Sequence, residues 1–299
     1  MKPMVIVDTD LGLDMDDAVA LALLMASPEV HLCGVTTAFG DCIKQAQFIM
    51  EMMRVMQLSI PVIPGARQGL LTLRDTSLDY RATEGFLDPY LEWTDPGVNA
   101  GEFMIDMIRH YPGEITLLGI GPLTNIALAL LREPSIDQHI REIVIMGGVH
   151  RTGGRGLGLP LVEYNIECDP EAAQIVLAAR CPIRLITLDV TCETILTPAH
   201  ARAIEESDFP LGSLLARLAY RWWDFIGREG SPLHDPLAAA SLFMPELITF
   251  VPAAVQIERR GRFTRGMTVV RQDEDSHIQV SVDVDSSAFM KFFLKRFVN

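Results

Sequence analysis

Positive charge is scarce in this chain: 25 lysines and arginines stand against 39 aspartates and glutamates, a formal net charge of −14. A surface of that sign repels polyanions, which argues against nucleic acid and an anionic membrane as partners and suits a small neutral ligand with a bound cation. Cysteine is sparse and unpatterned. Cys33, Cys42, Cys168, Cys181 and Cys192 are odd in number and contain no Cys-x-x-Cys pair, which fits a reducing compartment better than a disulfide framework. No apolar run reaches membrane-spanning length, and the first residues lead into a strand pattern instead of a secretory leader. Repeats, low-complexity tracts and linker-like stretches are also missing. A single domain over residues 1–299 and a cytoplasmic location are the expectations.

Acid is abundant in one place. A run of β-formers ends at Val7, and five carboxylates follow inside ten residues: Asp8, Asp10, Asp14, Asp16 and Asp17. Gly12 supplies a turn, and from Ala18 the sequence Ala-Val-Ala-Leu-Ala-Leu-Leu-Met reads as a helix. One or two acids at a helix start are ordinary capping. Five repel one another strongly, and an oxygen-seeking cation such as Ca2+ or Mg2+ would relieve that repulsion while using them as ligands.

Strand and helix patterns alternate from there. His31 to Thr37 reads as a buried strand, Ile43 to Met56 as an amphipathic helix and Ile60 to Gly65 as a short strand. Residues 68–99 form an irregular excursion, long enough to suggest a functional loop. Helices are expected at 102–111, from the turn at 121–125 to 133, and at 172–179; strands are expected at 115–120, 143–148 and 184–190. Mainly helical sequence follows Leu196, then antiparallel-looking strands between Phe250 and Val284, then a helix at 287–297. The predicted fold is a doubly wound α/β domain. Its sheet is open and mostly parallel, with helices on both faces and an extra C-terminal antiparallel portion.

Polar clusters fall just past the predicted strand ends: Asp8 to Asp17, Asp41, Ile120 to Asn125, Gly147-Gly148, Glu163 to Asp169, and His234-Asp235. Ligand sites of open α/β sheets lie at that edge, so the clusters can converge on one pocket. Asp169-Pro170-Glu171 itself reads as a helix N-cap followed by Pro at the first helical position. Cys168 reads as buried packing, because no base is paired with it.

Taken in order, Asp8-Thr9-Asp10-x-Gly12…Asp16-Asp17-Ala18, Gly121-Pro-Leu-Thr-Asn125-Ile-Ala, Met146-Gly-Gly, Glu163-Tyr-Asn165-Ile-x-x-Asp169-Pro-Glu-Ala-Ala and His234-Asp235-Pro-Leu-Ala resemble the inosine-uridine preferring nucleoside hydrolase family. The resemblance covers nearly the whole chain. It implies a Ca2+-dependent N-ribosyl hydrolase acting on a small nucleoside and assembled as a homodimer or homotetramer. Carried over position by position, the Ca2+ ligands would be Asp10, Asp17, the backbone carbonyl of Ile120, and Asp235. The ribose diol would complete the coordination, with Asp16 and Asn165 hydrogen-bonding it, Glu163 on the 5′ side, and Asp41 and Met146 also facing substrate.

The residue types suit that chemistry. Cleavage of an N-glycosidic bond passes through an oxocarbenium-like sugar, which needs negative groups near the ring and an activated water. Asp10 would accept the proton of a Ca2+-bound water, and His234 is the candidate for protonating the departing base. Trp222 and Trp223 read at least as well as buried core residues as they do as a base-stacking indole; only one can face a given side of a helix, and Trp222 is favoured for stacking on the base.

Departures from the family pattern bear on specificity. The acidic loop is two residues longer than usual, so Asp14 is either a spare acid or takes the place of Asp16 on the ribose. Asp41 stands where an asparagine is common, Arg81 where a histidine-bearing loop is usual, and Leu157 where an asparagine is expected. A modified base or 5′-altered ribose is therefore a further expectation. Two other readings share part of the pattern. A ribose-binding protein without turnover would keep the cation and diol recognition. A haloacid-dehalogenase-like phosphatase would use Asp8 as nucleophile and Mg2+, but Gly12 stands where that fold has Thr or Val.

Overall fold

A computed structural model of the chain describes residues 2–12, 14–71, 96–150 and 161–298. In chain order the elements are β1 (Met4–Thr9), α1 (Asp16–Met25), β2 (His31–Thr37), α2 (Cys42–Val55), β3 (Val62–Pro64), α3 (Ala100–His110), β4 (Ile115–Gly119), α4 (Thr124–Arg132), β5 (Glu142–Met146), α5 (Tyr164–Cys168), α6 (Pro170–Leu177) and β6 (Ile183–Ile186). The chain continues through α7 (Leu188–Thr191), β7 (Ile195–Leu196), α8 (Pro198–Glu205), α9 (Gly212–Ile226), β8 (Ser231–Pro232), α10 (His234–Ala240), β9 (Ile248–Ile257), β10 (Thr268–Gln272), β11 (Ile278–Val284) and α11 (Ser286–Val298).

Nine strands form one sheet in the order β10-β9-β11-β6-β5-β4-β1-β2-β3, and β7 pairs with β8 as a separate ribbon. From β11 to β3 every pairing is parallel; only β9 runs against its neighbours β10 and β11. The central strands β1, β4, β5 and β6 are short and mostly apolar because both faces are covered. Val5 and Val7 of β1 enter one core with Leu118, Val144 and Ile186, under α1, α2 and α8 to α11. Ile6 enters the other with Leu117, Ile143, Ile145 and Leu185, under α3, α4 and α6. That split follows from the period-two alternation of side chains along a strand.

The predicted fold class is the one observed, with one local correction. The run expected as a strand through Val190 leaves the sheet after Ile186 and winds into α7. Its β-branched residues pack as well in a buried helical turn as in a strand, so propensity could not separate the two. The C-terminal strands β10, β9 and β11 pair antiparallel as expected, and β11 in addition pairs parallel with β6, which joins them to the main sheet. Among the described residues no helix is long and apolar enough to cross a membrane, and none of the five cysteines forms a disulfide.

The site is placed by α1 and α10. Asp16 to Leu24 of α1 are all buried, and α10 presents Ala238, Ala239 and Ala240 with no exposed surface. Side chains this small let helix backbones approach closely. The approach brings the start of α10 to the start of α1, where the Asp235 N–H donates to Asp16 Oδ2 at 3.2 Å.

Candidate active site

β1, β4 and β5 lie side by side, and the segments leaving their carboxyl ends enclose a cavity of about 340 Å³. The acidic loop contributes Asp10, Asp14, Asp16 and Asp17; the strand ends contribute Ile120 and Met146; the segment entering α5 contributes Glu163 and Asn165; and α10 contributes His234 and Asp235. Ten of the twelve residues singled out from the sequence therefore line one space, though they span the chain from residue 10 to residue 235.

Close backbone approach builds it. The Ile120 N–H donates to the Asp8 carbonyl at 2.8 Å, extending the β1–β4 pairing past the sheet. A Cβ on Gly121 would lie 2.8 Å from both the backbone nitrogen and Oδ1 of Asp10, so only glycine lets that turn sit against the loop. Asn165 Nδ2 donates to the carbonyls of Ile120 at 3.0 Å and Met146 at 3.3 Å, tying α5 to the two strand ends. Glu163 accepts from the backbone N–H groups of Gly148 at 3.0 Å, Asn165 at 2.7 Å and Ile166 at 3.0 Å. It thus caps α5 while facing the cavity.

The electrostatics are those of a buried acidic pocket. Withdrawal from water and then the neighbouring acids push Asp10, Asp16 and Asp235 well above the ordinary carboxylate range. Asp17 rises to about 7, from burial first and then Asp14, although Thr9 Oγ1 donates to it. Burial also raises Glu163. No lysine or arginine is among the described residues lining this cavity. Carboxylate oxygens of Asp14, Asp16 and Asp17 all lie within 4.8 Å of one another, close enough to share one ion. Asp10, Asp235 and the Ile120 carbonyl add only oxygen donors, the set that a hard divalent cation takes.

His234 is half-buried, with Nδ1 2.7 Å from Thr191 Oγ1. Enclosure of the ring lowers its pKa to about 4, with Asp14 acting upward and Arg228 downward. Its partner Thr191 is 43 residues away in sequence, and no local signal announces it.

Two expected residues stand apart from the main cavity. Asp41 caps α2, its Oδ1 accepting from the Lys44 N–H at 3.3 Å and its Oδ2 facing Lys44 Nζ at 3.5 Å. Trp222 lines a smaller recess of about 60 Å³ that shares Asp14, Asp16 and His234 with the main space. Its neighbour Trp223 is buried and donates from Nε1 to Ser231 Oγ at 3.0 Å, so the choice of Trp222 as the more available indole agrees with the packing. Arg81 and Leu157 lie outside the described residues.

Asp8 is the one acid of the opening five that does not line the cavity. Its Oδ1 accepts from Thr36 Oγ1 at 2.6 Å and from Asn125 Nδ2 at 2.8 Å. Asn125 also donates to the Thr37 carbonyl at 3.0 Å and accepts from the Ala66 N–H at 2.8 Å, so it joins β1, β2 and the turn after β3 beneath the site. A phosphatase using Asp8 as nucleophile would need it in the cavity, so that reading loses its central residue. Asp169 caps α6 through the Ala172 N–H, as its sequence context predicts, and additionally accepts from Thr124 Oγ1 and the Leu70 N–H. Sequence reasoning passed over Val162, Tyr164, Glu167 and Leu188, which also line the cavity. Tyr164 and Glu167 sit within a quoted motif, beside residues that were singled out.

A family profile described as "Inosine-uridine preferring nucleoside hydrolase" matches residues 5–291. The pyrimidine-specific ribonucleoside hydrolase RihA of Enterobacter sp. (strain 638) is 34% identical, over 98% of this chain and 96% of its own. The non-specific ribonucleoside hydrolase RihC of Escherichia coli (strain SMS-3-5 / SECEC) is 33% identical, over 98% and 97%. Among solved structures, the purine-preferring ribonucleoside hydrolase from Gardnerella vaginalis superposes with a TM-score of 0.86 at 27% identity, covering 99% of this chain and 98% of that one.

Proposed function

The chain belongs to the inosine-uridine preferring nucleoside hydrolase family, and from that premise we propose that it is a Ca2+-dependent hydrolase of the N-glycosidic bond of ribonucleosides, yielding ribose and free base. The observation that carries this reading is the pocket of five aspartates with no described lysine or arginine lining it. Asp10, Asp17, Asp235 and the Ile120 carbonyl would hold the cation, with Asp14 or Asp16 near enough to join them. Once bound, Ca2+ would neutralise these acids, supply coordination sites for the ribose diol, and acidify water.

The chain's own groups perform the remaining work. Asp10 accepts the proton of the attacking water as its oxygen bonds to C1′. Asp16 and Asn165 hydrogen-bond the diol; Asn165 is already held through Nδ2, leaving Oδ1 to accept. Glu163 addresses the 5′ side from its cap position, and Met146 covers the sugar. The bond to the base breaks with its electron pair on the base nitrogen, and His234, steadied by Thr191, passes a proton to it; with its pKa lowered to about 4 it acts as a relay from solvent and not as a standing imidazolium.

The test is release of reducing sugar from a panel of purine and pyrimidine ribosides and from p-nitrophenyl riboside, with EDTA and with added Ca2+. Calcium-dependent ribose release is the expected result. Calorimetric binding of ribosides with no product after long incubation would replace this reading with that of a binding protein.

A further inference from the structure

The small recess beside the main cavity holds an arginine that the chemistry above does not use. α9 ends in Gly227, a left-handed C-cap with φ 67°. The chain is then turned again at Gly230, with φ 81°, before Ser231-Pro232 pairs with Ile195-Leu196. Arg228 lies between these two glycines, its backbone N–H tied to the Trp223 carbonyl at 3.2 Å. Its side chain lines the recess with Trp222, Ser231, His234, Asp14 and Asp16. Among the described residues it makes no hydrogen bond or ion pair through its guanidinium, unlike Arg109, Arg180, Arg184, Arg265 and Arg296, each of which is clamped to a carboxylate. In a chain of net charge −14, Arg228 is an exposed arginine that lines this recess beside an indole and acts electrostatically on His234.

Resting on the hydrolase reading, we propose that Arg228 determines leaving-group specificity, donating hydrogen bonds to an oxo-substituted nucleobase as it departs. The recess is lined by His234, the group assigned to the base, and shares Asp14 and Asp16 with the main cavity. When the C1′–N bond breaks, its electron pair passes to the base and is delocalised onto a conjugated carbonyl oxygen. Arg228 carries a permanent positive charge and a fork of donors suited to that oxygen, while Trp222 offers the ring a face. The attacking water supplies the hydroxyl at C1′ and loses its proton to Asp10, and the base collects its proton through His234. Arg228 moves no proton; it stabilises charge as the charge forms.

The experiment compares wild type, Arg228→Gln and Arg228→Lys on uridine, inosine and p-nitrophenyl riboside, and measures inhibition by uracil and by ribose. The expected result for Arg228→Gln is a fall of at least ~10-fold in the ratio of kcat/KM for uridine or inosine to that for p-nitrophenyl riboside, the size of one charged hydrogen bond. Uracil inhibition should weaken similarly relative to ribose inhibition, with part of both effects restored in Arg228→Lys. Equal loss on all three substrates, with the uracil-to-ribose inhibition ratio retained, would mean that Arg228 only balances the charge of Asp14 and Asp16, and would overturn the proposal. Absence of ribose release by wild type from any riboside would instead remove the hydrolase reading, and this inference with it.

Discussion

Asp8→Asn isolates the electrostatic cost of the bracket beneath the site. Asp8 is 1% exposed; two donors reach its Oδ1, and no described group donates to Oδ2. Burial raises its pKa from 3.8 to about 7, against the opposing pull of Asn125 and Thr36. Because the folded value is the higher one, the folded state holds this proton more tightly. The associated stability is full below pH 3.8, declines as pH rises, and is gone above about 7. Between pH 5 and pH 8 the group crosses roughly two units of that window, worth about 3 kcal/mol at 1.36 kcal/mol per unit. Asparagine keeps an oxygen for Thr36 and Asn125 but cannot titrate. The assay is urea unfolding of wild type and Asp8→Asn in EDTA at both pH values. The other raised aspartates are common to both proteins and cancel in the difference. Wild type is expected to lose about 3 kcal/mol more than the variant on going from pH 5 to pH 8. A difference independent of pH within about 1 kcal/mol would refute the reasoning.

Asp10→Asn should lower kcat by roughly 10²- to 10⁴-fold while the thermal midpoint stays close to wild type, because the amide keeps the shape but cannot accept the water's proton; differential scanning fluorimetry alongside the rate checks both. Ca2+ at 100 times its Kd should stabilise the EDTA-treated protein by about 2.7 kcal/mol, read as a rise in Tm, and an unmoved Tm would count against a calcium site. His234→Ala should slow uridine more than p-nitrophenyl riboside, whose leaving group needs little protonation; equal losses would remove His234 as proton donor.

Much of this molecule can be read directly from residue order. The alternation of Val5, Ile6 and Val7 assigns two faces to β1 before any partner is known. The Asp-Pro-Glu run at 169–171 announces a capped helix, and the density of aspartates at 8–17 predicts a charge problem that a cation can solve. These are local properties: covalent spacing sets strand and helix periodicity, and like charges a few residues apart stay close in any compact fold. What residue order leaves open is which side chains share a space. Asp8 and Asp10 are two apart and chemically identical, yet Asp8 is withdrawn beneath the sheet end by Thr36 and Asn125 while Asp10 faces the cavity. Asp41 follows a strand as the other acids do, but caps its own helix. Thr191 reaches His234, and Arg228 reaches the recess, through the β7–β8 ribbon and two left-handed glycines. Those outcomes depend on helix approach, on the route of the connections and on competition among distant donors. Only the folded chain decides them, because the energies involved belong to pairs that sequence distance does not relate.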